Sequence, residues 1–274
     1  MATITSPAIT CRFLALFALG SLLWGQVNTE AMRKADLTSG WHTDLNLDFS
    51  MIAGNTDLSR IKTGLRFDYL HGTAHSFLAY SYQQGSLVEE DFVNKAFVHL
   101  RRTQSLRTHL AIEGFLQREY NEFISLKERN LAGCGLRIRW LQGWTNEGKT
   151  TGLKVTTGFG FMWEQEQIRN ARNPKDQLKD LVRSTNYLVL GLIPDERLLL
   201  QLTTYYQPNI KRPKDFRVLL DGGFAFTLTE KLSAAITLNA RFDSEPPVVL
   251  EKNGSEKILE KYDMELASGL VYKF

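Results

Sequence analysis

Apolar and polar residues alternate with a period of two along most of this chain. In residues 41–53, WHTDLNLDFSMIA, Leu45 and Leu47 fall on one face while Asp44 and Asp48 fall on the other. Successive side chains of a β-strand point to opposite faces, whereas a helix would spread these carboxylates around its circumference. The pattern recurs in about twelve segments separated by turn signals, so the sequence predicts an all-β fold.

The connections between these segments alternate in length. Short joints such as HGTA and LIPDER alternate with longer stretches such as QQGSLVEED, QIRNARNPKDQLKD and EPPVVLEKNGSEK. Bacterial outer-membrane barrels have short periplasmic turns and longer loops at the opposite end. We therefore predict a single closed antiparallel transmembrane β-barrel of about 12 strands over residues 40–274, with 10 or 14 strands as the alternatives.

The beginning of the chain has the layout of a secretory signal peptide. Arg12 precedes the apolar stretch FLALFALGSLLW, which is too short to span a bilayer, and the small residue Gly25 follows it. We expect residues 1–25 to be removed by cleavage near Gly25 and residues 26–39 to form a polar periplasmic lead-in. Cys134 would then be the single cysteine of the exported chain, so we expect no internal disulfide.

Composition narrows the choice of partners. The 33 basic and 30 acidic residues leave a net charge of +3, which gives no reason to expect a nucleic-acid partner. Apart from the signal region, the chain has no apolar run of the roughly 18 residues that a membrane-spanning helix needs. Any crossing of a membrane must therefore use strands.

The apolar face of the strands is predicted to meet lipid, and the polar face to line a lumen. A soluble periplasmic barrel would have the opposite arrangement and is the alternative. Aromatic residues near strand ends favour the membrane assignment, because they suit girdles at two interfaces. The predicted interfacial aromatics are Trp41, Tyr69, Trp140, Trp163, Tyr206, Tyr272 and Phe274.

The predicted lumen carries charges of both signs interleaved with glycines. We expect ion pairs to cross a narrow lumen, because isolated charges are costly in a weakly hydrated interior. Glycines on this face would either make room for arginine side chains or only relieve curvature of the sheet. The candidate lumen-lining charged residues are Lys62, Arg66, Asp68, Arg101, Glu113, Arg137, Arg139, Lys154, Arg217, Asp221, Arg241, Asp243, Asp263 and Glu265.

The last residues, YDMELASGLVYKF, resemble the assembly signal of bacterial outer-membrane proteins. In that signal a glycine is followed three and five residues later by aromatic or other hydrophobic residues, as Gly269 is by Tyr272 and Phe274. Ala267 departs from the pattern, which usually has a polar residue at that position. The resemblance implies recognition by the outer-membrane assembly machinery.

Several stretches together resemble a family of envelope proteins called salt-induced outer membrane proteins, which carry a domain of unknown function. These stretches are MIAGNTDLSR, REYNEF followed by ERNLAGCGLRIRW, and ARFDSEPP. The resemblance covers roughly residues 40–274 and implies an outer-membrane location and a barrel of this size. The family has no established activity to transfer, and its name implies regulation by salt, not a transport function.

Motifs for chemistry are weak. The two Gly-x-Gly fragments are not followed by a helix, so we expect no nucleotide site. His99 could act as the base of a lipid hydrolase, but no serine is identifiable as its nucleophile. Asp44, Asn46 and Asp48 align oxygen atoms, but residues two apart in a strand lie about 7 Å apart, too far for one calcium ion. We therefore predict no catalytic residues, no cofactor and no metal site.

The expected function is that of a non-enzymatic outer-membrane protein, either structural or a narrow pore for ions and small polar solutes. One alternative is an enzyme acting on lipid at the barrel rim. Another is an envelope protein that binds lipopolysaccharide phosphates through basic loops. The expected partners are outer-membrane lipids, including lipopolysaccharide, and the assembly machinery. The basic loop residues are Arg169, Arg172, Lys175, Lys179, Lys211, Arg212 and Lys214.

Overall fold

The computed structural model describes residues 37–52, 58–87, 90–146, 149–173, 177–195, 197–229, 232–250 and 254–272. Within these ranges, twelve strands form one sheet. They are β1 (Gly40–Ile52), β2 (Leu58–His71), β3 (Ala74–Leu87), β4 (Glu90–Arg107), β5 (Leu110–Asn121), β6 (Leu126–Asn146), β7 (Lys149–Ile168), β8 (Leu178–Asp195), β9 (Leu198–Pro208), β10 (Phe216–Thr227), β11 (Leu232–Asp243) and β14 (Tyr262–Tyr272).

Each strand of this sheet pairs antiparallel with the strand before it, in the order β1 to β11 and then β14. The prediction of an all-β antiparallel meander is therefore confirmed, and the sheet has the predicted twelve strands. No pairing between the described residues joins β1 to β14, so closure of the sheet stays a prediction. The described ranges also contain no helix long and apolar enough to cross a bilayer.

The connection between β11 and β14 contains a second, smaller sheet. It consists of β12 (Val248–Leu250) paired antiparallel with β13 (Glu256–Ile258). The sequence pattern predicts only a loop in this stretch, because each strand has just three residues and shows no alternation. A short 3₁₀-helix, Glu122–Ile124, makes the turn between β5 and β6.

The connections define two ends of the sheet. At the turn end lie the joints β2–β3, β4–β5, β6–β7, β8–β9 and β10–β11, and at the loop end lie the others. The predicted longer loop QQGSLVEED is wrong, because β3 continues to Leu87 and β4 begins at Glu90. Its polar residues belong to strands, and Gln83 is buried on the polar face. Long connections at the loop end are confined to β7–β8, β9–β10 and β11–β14.

Burial along the strands is inverted relative to a soluble protein. In β5 the side chains of Glu113, Gln117 and Glu119 are buried, whereas those of Ile112 and Leu116 are exposed. Across the described residues, buried polar and charged side chains outnumber buried apolar ones. We call the face with the buried polar residues the inner face and the opposite one the outer face. The core of this fold is therefore largely made of charged and polar groups.

Candidate functional site

A buried network of arginines and carboxylates occupies the inner face near the loop end. We call it the arginine network: Arg129, Arg183, Arg217 and Arg241 with Glu119, Glu164, Glu166, Asp215 and Asp243. Its charges nearly balance, as isolated charges away from water would be strongly disfavoured. Its members come from β5, β6, β7, β8, β10 and β11 and from the β9–β10 connection, so it joins about half of the sheet.

Arg217 on β10 contacts three carboxylates of the arginine network. Its Nη1 donates to Glu164, and its Nη2 donates to Glu166 at 2.9 Å. Its Nε donates to Oδ2 of Asp243 at 2.9 Å. Glu164 and Glu166 lie on β7, whereas Asp243 lies on β11. The guanidinium therefore reaches both its neighbour β11 and the non-adjacent strand β7 across the inner face.

Arg129 on β6 has a side chain that is only 1% exposed. Its Nη1 donates to Oε1 of Glu119 at 2.7 Å, and its Nη2 donates to Oε2 of Glu166 at 2.5 Å. Its Nε lies 3.5 Å from Oε1 of Glu164. Arg129 thus shares both β7 carboxylates with Arg217, and each glutamate has more than one cationic partner.

Arg183 on β8 extends the network to the β9–β10 connection. Its Nε donates to Oε2 of Glu164 at 2.7 Å, and its Nη2 donates to Oδ1 of Asp215 at 2.9 Å. Its Nη1 donates to the carbonyl oxygens of Gln207 and Asp215 at 3.3 and 3.2 Å. The Arg183 side chain therefore links the inner face of the sheet to the β9–β10 connection.

A second group of polar residues lies at the middle of the inner face. The hydroxyl of Tyr187 on β8 donates to Oε2 of Glu113 on β5 at 2.9 Å and accepts from Nη1 of Arg137 at 3.1 Å. Arg101 lies 3.6 Å from the same carboxylate, and Thr103 donates to its other oxygen at 3.1 Å. This middle group, Arg101, Thr103, Glu113, Arg137 and Tyr187, spans the inner face from β4 to β8.

The glycines of the inner face make room for rings and for backbone rather than for arginines. A Cβ at Gly158 would lie 1.9 Å from the ring of Tyr187, and one at Gly133 would lie 2.4 Å from the ring of Phe115. At Gly135 and Gly160, which pair across β6 and β7, a Cβ would meet backbone of the opposite strand at 2.6 and 2.3 Å. Gly133 and Gly158 therefore make room for rings, whereas Gly135 and Gly160 allow the backbones of β6 and β7 to approach closely.

His99 is buried among aromatic rings instead of lying at a rim. Its side chain sits between the rings of Phe77 and Phe115, with centroids 5.6 and 5.8 Å away. Its Nδ1 lies 3.0 Å from Oε1 of Gln117. The described contacts thus pair this histidine with an amide, and they place it midway along β4.

A third charged group lies near the turn end of the inner face. Arg66 makes a two-pronged contact with Asp68, with Nε and Nη2 donating to the two carboxylate oxygens at 2.6 and 2.7 Å. Nε2 of His75 lies 2.9 Å from the same carboxylate. The Arg66 guanidinium also stacks 4.3 Å above the ring of Phe77.

Arg241 of the arginine network and the predicted lumen residues outside the three charged groups are less buried. Arg241 contacts Asp243 at 3.4 Å, and Arg139 donates to the carbonyl of Thr108 in the β4–β5 turn at 3.0 Å. The structure does not bring these residues into one cluster with the middle group. Partly buried positions on the inner face are occupied by Lys62, Lys154, Asp221, Asp263 and Glu265.

Aromatic side chains form two belts on the outer face. At the turn end, the rings of Trp41 and Tyr69 lie 4.5 Å apart, and Trp140 is also located there. At the loop end, a ladder of rings with centroid distances of 5.6, 5.5 and 4.9 Å joins four strands. That ladder consists of Tyr206, Phe216, Phe242 and Tyr262.

The other predicted aromatics and the assembly signal divide between described and undescribed residues. Trp163 lies at the loop end, where its Nε1 donates to Oδ1 of Asp180 at 2.6 Å. Gly269 is exposed on β14. The backbone of Tyr272 belongs to β14, but its side chain and the whole of Phe274 lie outside the described residues, as does the signal region.

The three arginines among the basic loop residues are paired with acids. Arg169 contacts Glu122 at 2.6 Å, Arg172 contacts Glu256 at 2.8 Å, and Arg212 contacts Glu245 at 2.5 Å. Lys211 and Lys214 are exposed and Lys179 is partly buried, whereas Lys175 lies outside the described residues.

The sequence pattern does not predict Arg129, Glu166 or Asp215 of the arginine network. Arg129 and Glu166 lie beyond the ends that the alternation of apolar and polar residues assigns to their strands, because the outer face also becomes polar there. Glu128, Asn130 and Gln165 occupy that part of the outer face. The signal that could have found the network is the strict two-residue spacing of Glu164 and Glu166 beyond Met162.

Solved structures and one protein family are similar to this chain. The NanC porin structure shares 8% identity over 84% of this chain and 100% of that chain, with a TM-score of 0.45. OmpT, an outer membrane protein of Vibrio cholerae, shares 10% identity over 85% of this chain and 96% of that chain, with a TM-score of 0.22. No curated protein sequence matches the chain. The model of the family described as "Protein of unknown function, DUF481" matches residues 46–274, and the chain therefore belongs to that family.

Proposed function

We propose that this chain is a non-enzymatic β-barrel of the bacterial outer membrane whose lumen is a narrow pathway for ions and small polar solutes. The observation that carries the proposal is the inverted burial of the sheet. Apolar outer-face side chains such as Leu47, Leu136 and Phe161 are 73%, 47% and 60% exposed, whereas charged inner-face side chains are buried. Water would disfavour such an outer face, and hydrocarbon would favour it.

The dimensions of the strands support a membrane location. The outer face of β11 carries Leu232, Ala234, Ile236, Leu238 and Ala240 without a charged residue. A tilted transmembrane strand needs about 9–11 residues to cross hydrocarbon, and β11 has 12. The aromatic belts at both ends suit the two membrane interfaces. Pairing of β1 with β14 would complete the barrel and remove both open edges, as hydrocarbon requires.

The lumen of this barrel would be closed at two levels in the conformation described. Near the loop end the arginine network occupies the inner face, and at its middle Tyr187 reaches over two strands to Glu113. Charged walls of both signs suit hydrated ions and small polar solutes better than apolar ones. Conduction therefore requires both levels to move or to loosen.

A second candidate is a purely structural barrel with a permanently sealed lumen. Its support is the near-complete burial of the network, in which Arg129, Glu164 and Glu166 each have side chains no more than 3% exposed. A network of this kind costs several kcal/mol to break. The outer-membrane lipids and the assembly machinery would then be the main partners. Lipopolysaccharide binding has less support, because Arg169, Arg172 and Arg212 already have carboxylate partners.

Two measurements on one detergent-folded sample test the proposal. The first is electrophoretic mobility, unboiled against boiled, where a membrane barrel gives a heat-modifiable band. The second is planar-bilayer conductance, where a narrow closed pathway gives infrequent small openings and a sealed barrel gives none. Absence of the heat shift would overturn the membrane-barrel proposal, and a large steady conductance would overturn closure of the lumen.

The location and the regulation are tested in cells. We expect the protein to fractionate with outer membranes and to resist extraction by salt or alkali, and release by either treatment would favour the soluble alternative. The name of the resembling family further suggests that salt raises the amount of protein. Comparing its level in cells grown at low and high salt tests that suggestion.

A further inference from the structure

The connection between β11 and β14 folds over the loop end of the inner face. We call the described part of this connection, residues 244–250 and 254–261, the cap. Its two ends lie side by side, because Phe242 and Tyr262 are a register pair and the amide of Asp243 donates to the carbonyl of Lys261 at 2.9 Å. Between these ends the cap forms its own small hairpin, β12 and β13, instead of joining the main sheet. It is therefore one compact unit attached to adjacent strands.

The cap docks on the chain segment that follows β7. Val249 forms a single antiparallel bridge with Ala171, and the amides of Arg172 and Leu250 donate to carbonyls across this junction at 3.0 and 2.8 Å. Asn170, the carbonyl partner of Leu250, has a φ of 52°, a conformation that few non-glycine residues adopt. A small apolar cluster, Leu126, Ile168, Ala171 and Val249, lies beneath the bridge.

Two ion pairs at the surface join the cap to other loops. Glu245 in the cap contacts Arg212 at 2.5 Å, and Glu256 contacts Arg172 at 2.8 Å. The four side chains are between 40% and 62% exposed. Exposed pairs of this kind contribute little each, because water solvates both charges. The charged contacts that keep the cap in place are thus few and individually weak, in contrast to the buried arginine network, and the bridge and the apolar cluster supply the other contacts.

A cavity lies directly beneath the cap. Its roof includes Pro246, Pro247 and Leu259 from the cap, and its floor includes Arg129, Glu166 and Arg217 of the arginine network. The cap therefore separates the network from the solution at the loop end. Displacing this one unit would expose the network without breaking any pairing of the main sheet.

We propose that the cap is a lid that opens as a unit about its two ends, next to Asp243 and Tyr262, and gives solutes access to the arginine network. That opening gives access to a lumen rests on the proposed function. The position and contacts of the cap do not depend on a membrane. The two surface ion pairs act as latches, because they are the charged contacts that the cap makes with loops outside its own ends.

A cysteine placed beneath the cap tests the lid. Ile168→Cys in a Cys134→Ser background puts the thiol in the cavity, and its reaction rate with a charged methanethiosulfonate reports opening. We expect slow modification in this background and at least a several-fold faster rate when Glu245→Ala and Glu256→Ala remove the latches. Ala225→Cys, a buried position at the turn end, is the matched control and should be unaffected by the latch variants.

Equal rates at Ile168→Cys with and without the latches would overturn the proposal, as would an equal increase at Ala225→Cys. Hydrogen exchange on the wild-type chain covers the case in which Ile168→Cys misfolds. We expect the amides of Arg172 and Leu250 to exchange faster than those of β11, and equal protection would identify a fixed plug. All samples are first checked for the heat-modifiable band, so that failure of the barrel proposal is distinguished from failure of the lid.

Discussion

The hydroxyl of Tyr187 on β8 donates a 2.9 Å hydrogen bond to Glu113 on β5, although β6 and β7 separate these strands in the sheet. Such a contact is possible only if the sheet curves strongly enough for one tyrosine to bridge three strand spacings. The ring of Tyr187 lies directly over Gly158 of β7, where any side chain would block its path. The Tyr187–Glu113 bridge therefore depends both on the curvature of the sheet and on the absence of a side chain at Gly158.

Replacing that glycine should disrupt the bridge. In Gly158→Ala the new Cβ would lie 1.9 Å from the Tyr187 ring, so the ring must move away. Overpacking of this kind costs about 1–3 kcal/mol. We expect a lower urea midpoint of unfolding in detergent, measured by loss of the heat-modifiable band.

Gly191→Ala is the matched control for this substitution. It also lies on the inner face, but its Cβ would meet Cβ of Lys154 at 3.5 Å, an ordinary contact. The double variant Gly158→Ala with Tyr187→Ala should be less destabilised than the sum of the two single variants, since the clash is gone. Additive effects of the two substitutions would show that the ring and the glycine are not coupled.

The arginine network should be far more sensitive to substitution than surface ion pairs. Arg217→Met removes one cation shared by Glu164, Glu166 and Asp243 and leaves the buried network with a larger excess of negative charge. Breaking a buried pair in this way costs about 3–5 kcal/mol. We expect a large fall in the urea midpoint of the detergent-folded protein.

The control for this network variant is Arg118→Ala on the outer face. Arg118 pairs with Glu128 at 3.0 Å, but its side chain is 67% exposed. Removing an exposed partner costs about 0–1 kcal/mol. Similar midpoints for Arg217→Met and Arg118→Ala would mean that water reaches the network freely, and closure at the loop end would then be wrong.

The sequence predicts the sheet well because its strands repeat one simple rule. The two-residue period alone assigns residues such as Leu45 and Asp44 to opposite faces of a strand, and no knowledge of tertiary contacts is needed. Strand order follows too, since each short turn forces its two strands to be antiparallel neighbours. The number of strands in the main sheet follows from counting the segments.

The arginine network was harder to predict because its partners are distant in sequence. Arg217 and Glu164 are 53 residues apart, and only the curvature of the sheet brings them together. The alternation also fades near Arg129 and Glu166, where both faces carry polar residues. In the proposed barrel this part of the outer face lies above the membrane and needs no apolar side chains, so the usual strand signal is lost where the network lies. Side-chain pairing across the inner face cannot be read from spacing.

The outer face should be reachable from lipid and not from water. Cys134 is an exposed thiol midway along β6, between Gly114 of β5 and Phe161 of β7 in register. In protein reconstituted into vesicles, we expect a charged thiol reagent to leave Cys134 unmodified and a membrane-soluble maleimide to label it. Lys214→Cys in a Cys134→Ser background is the control, because Lys214 is exposed in the β9–β10 loop and should react with both. Rapid modification of Cys134 by the charged reagent would contradict a lipid-facing outer face.

The Tyr187 bridge and the arginine network lie in series along the proposed lumen, and this arrangement predicts how variants conduct. Tyr187→Ala removes the bridge at the middle of the lumen but leaves the arginine network beneath the cap. Glu245→Ala with Glu256→Ala frees the cap, so that water can reach and loosen the arginine network, but leaves Tyr187 in place. Because a series path conducts only when every level is open, we expect each of these variants to keep the low conductance of the wild type.

Combining the three substitutions should raise the frequency of openings in a planar bilayer well above that of either variant alone. Tyr206→Ala replaces a tyrosine of the outer belt and serves as the control, since it should change stability without changing conductance. Steady current through Tyr187→Ala alone would show that the network is no barrier to ions. If the combined variant folds, gives the heat-modifiable band and still carries no current, the lumen is sealed by more than these two levels, and the structural barrel becomes the better account.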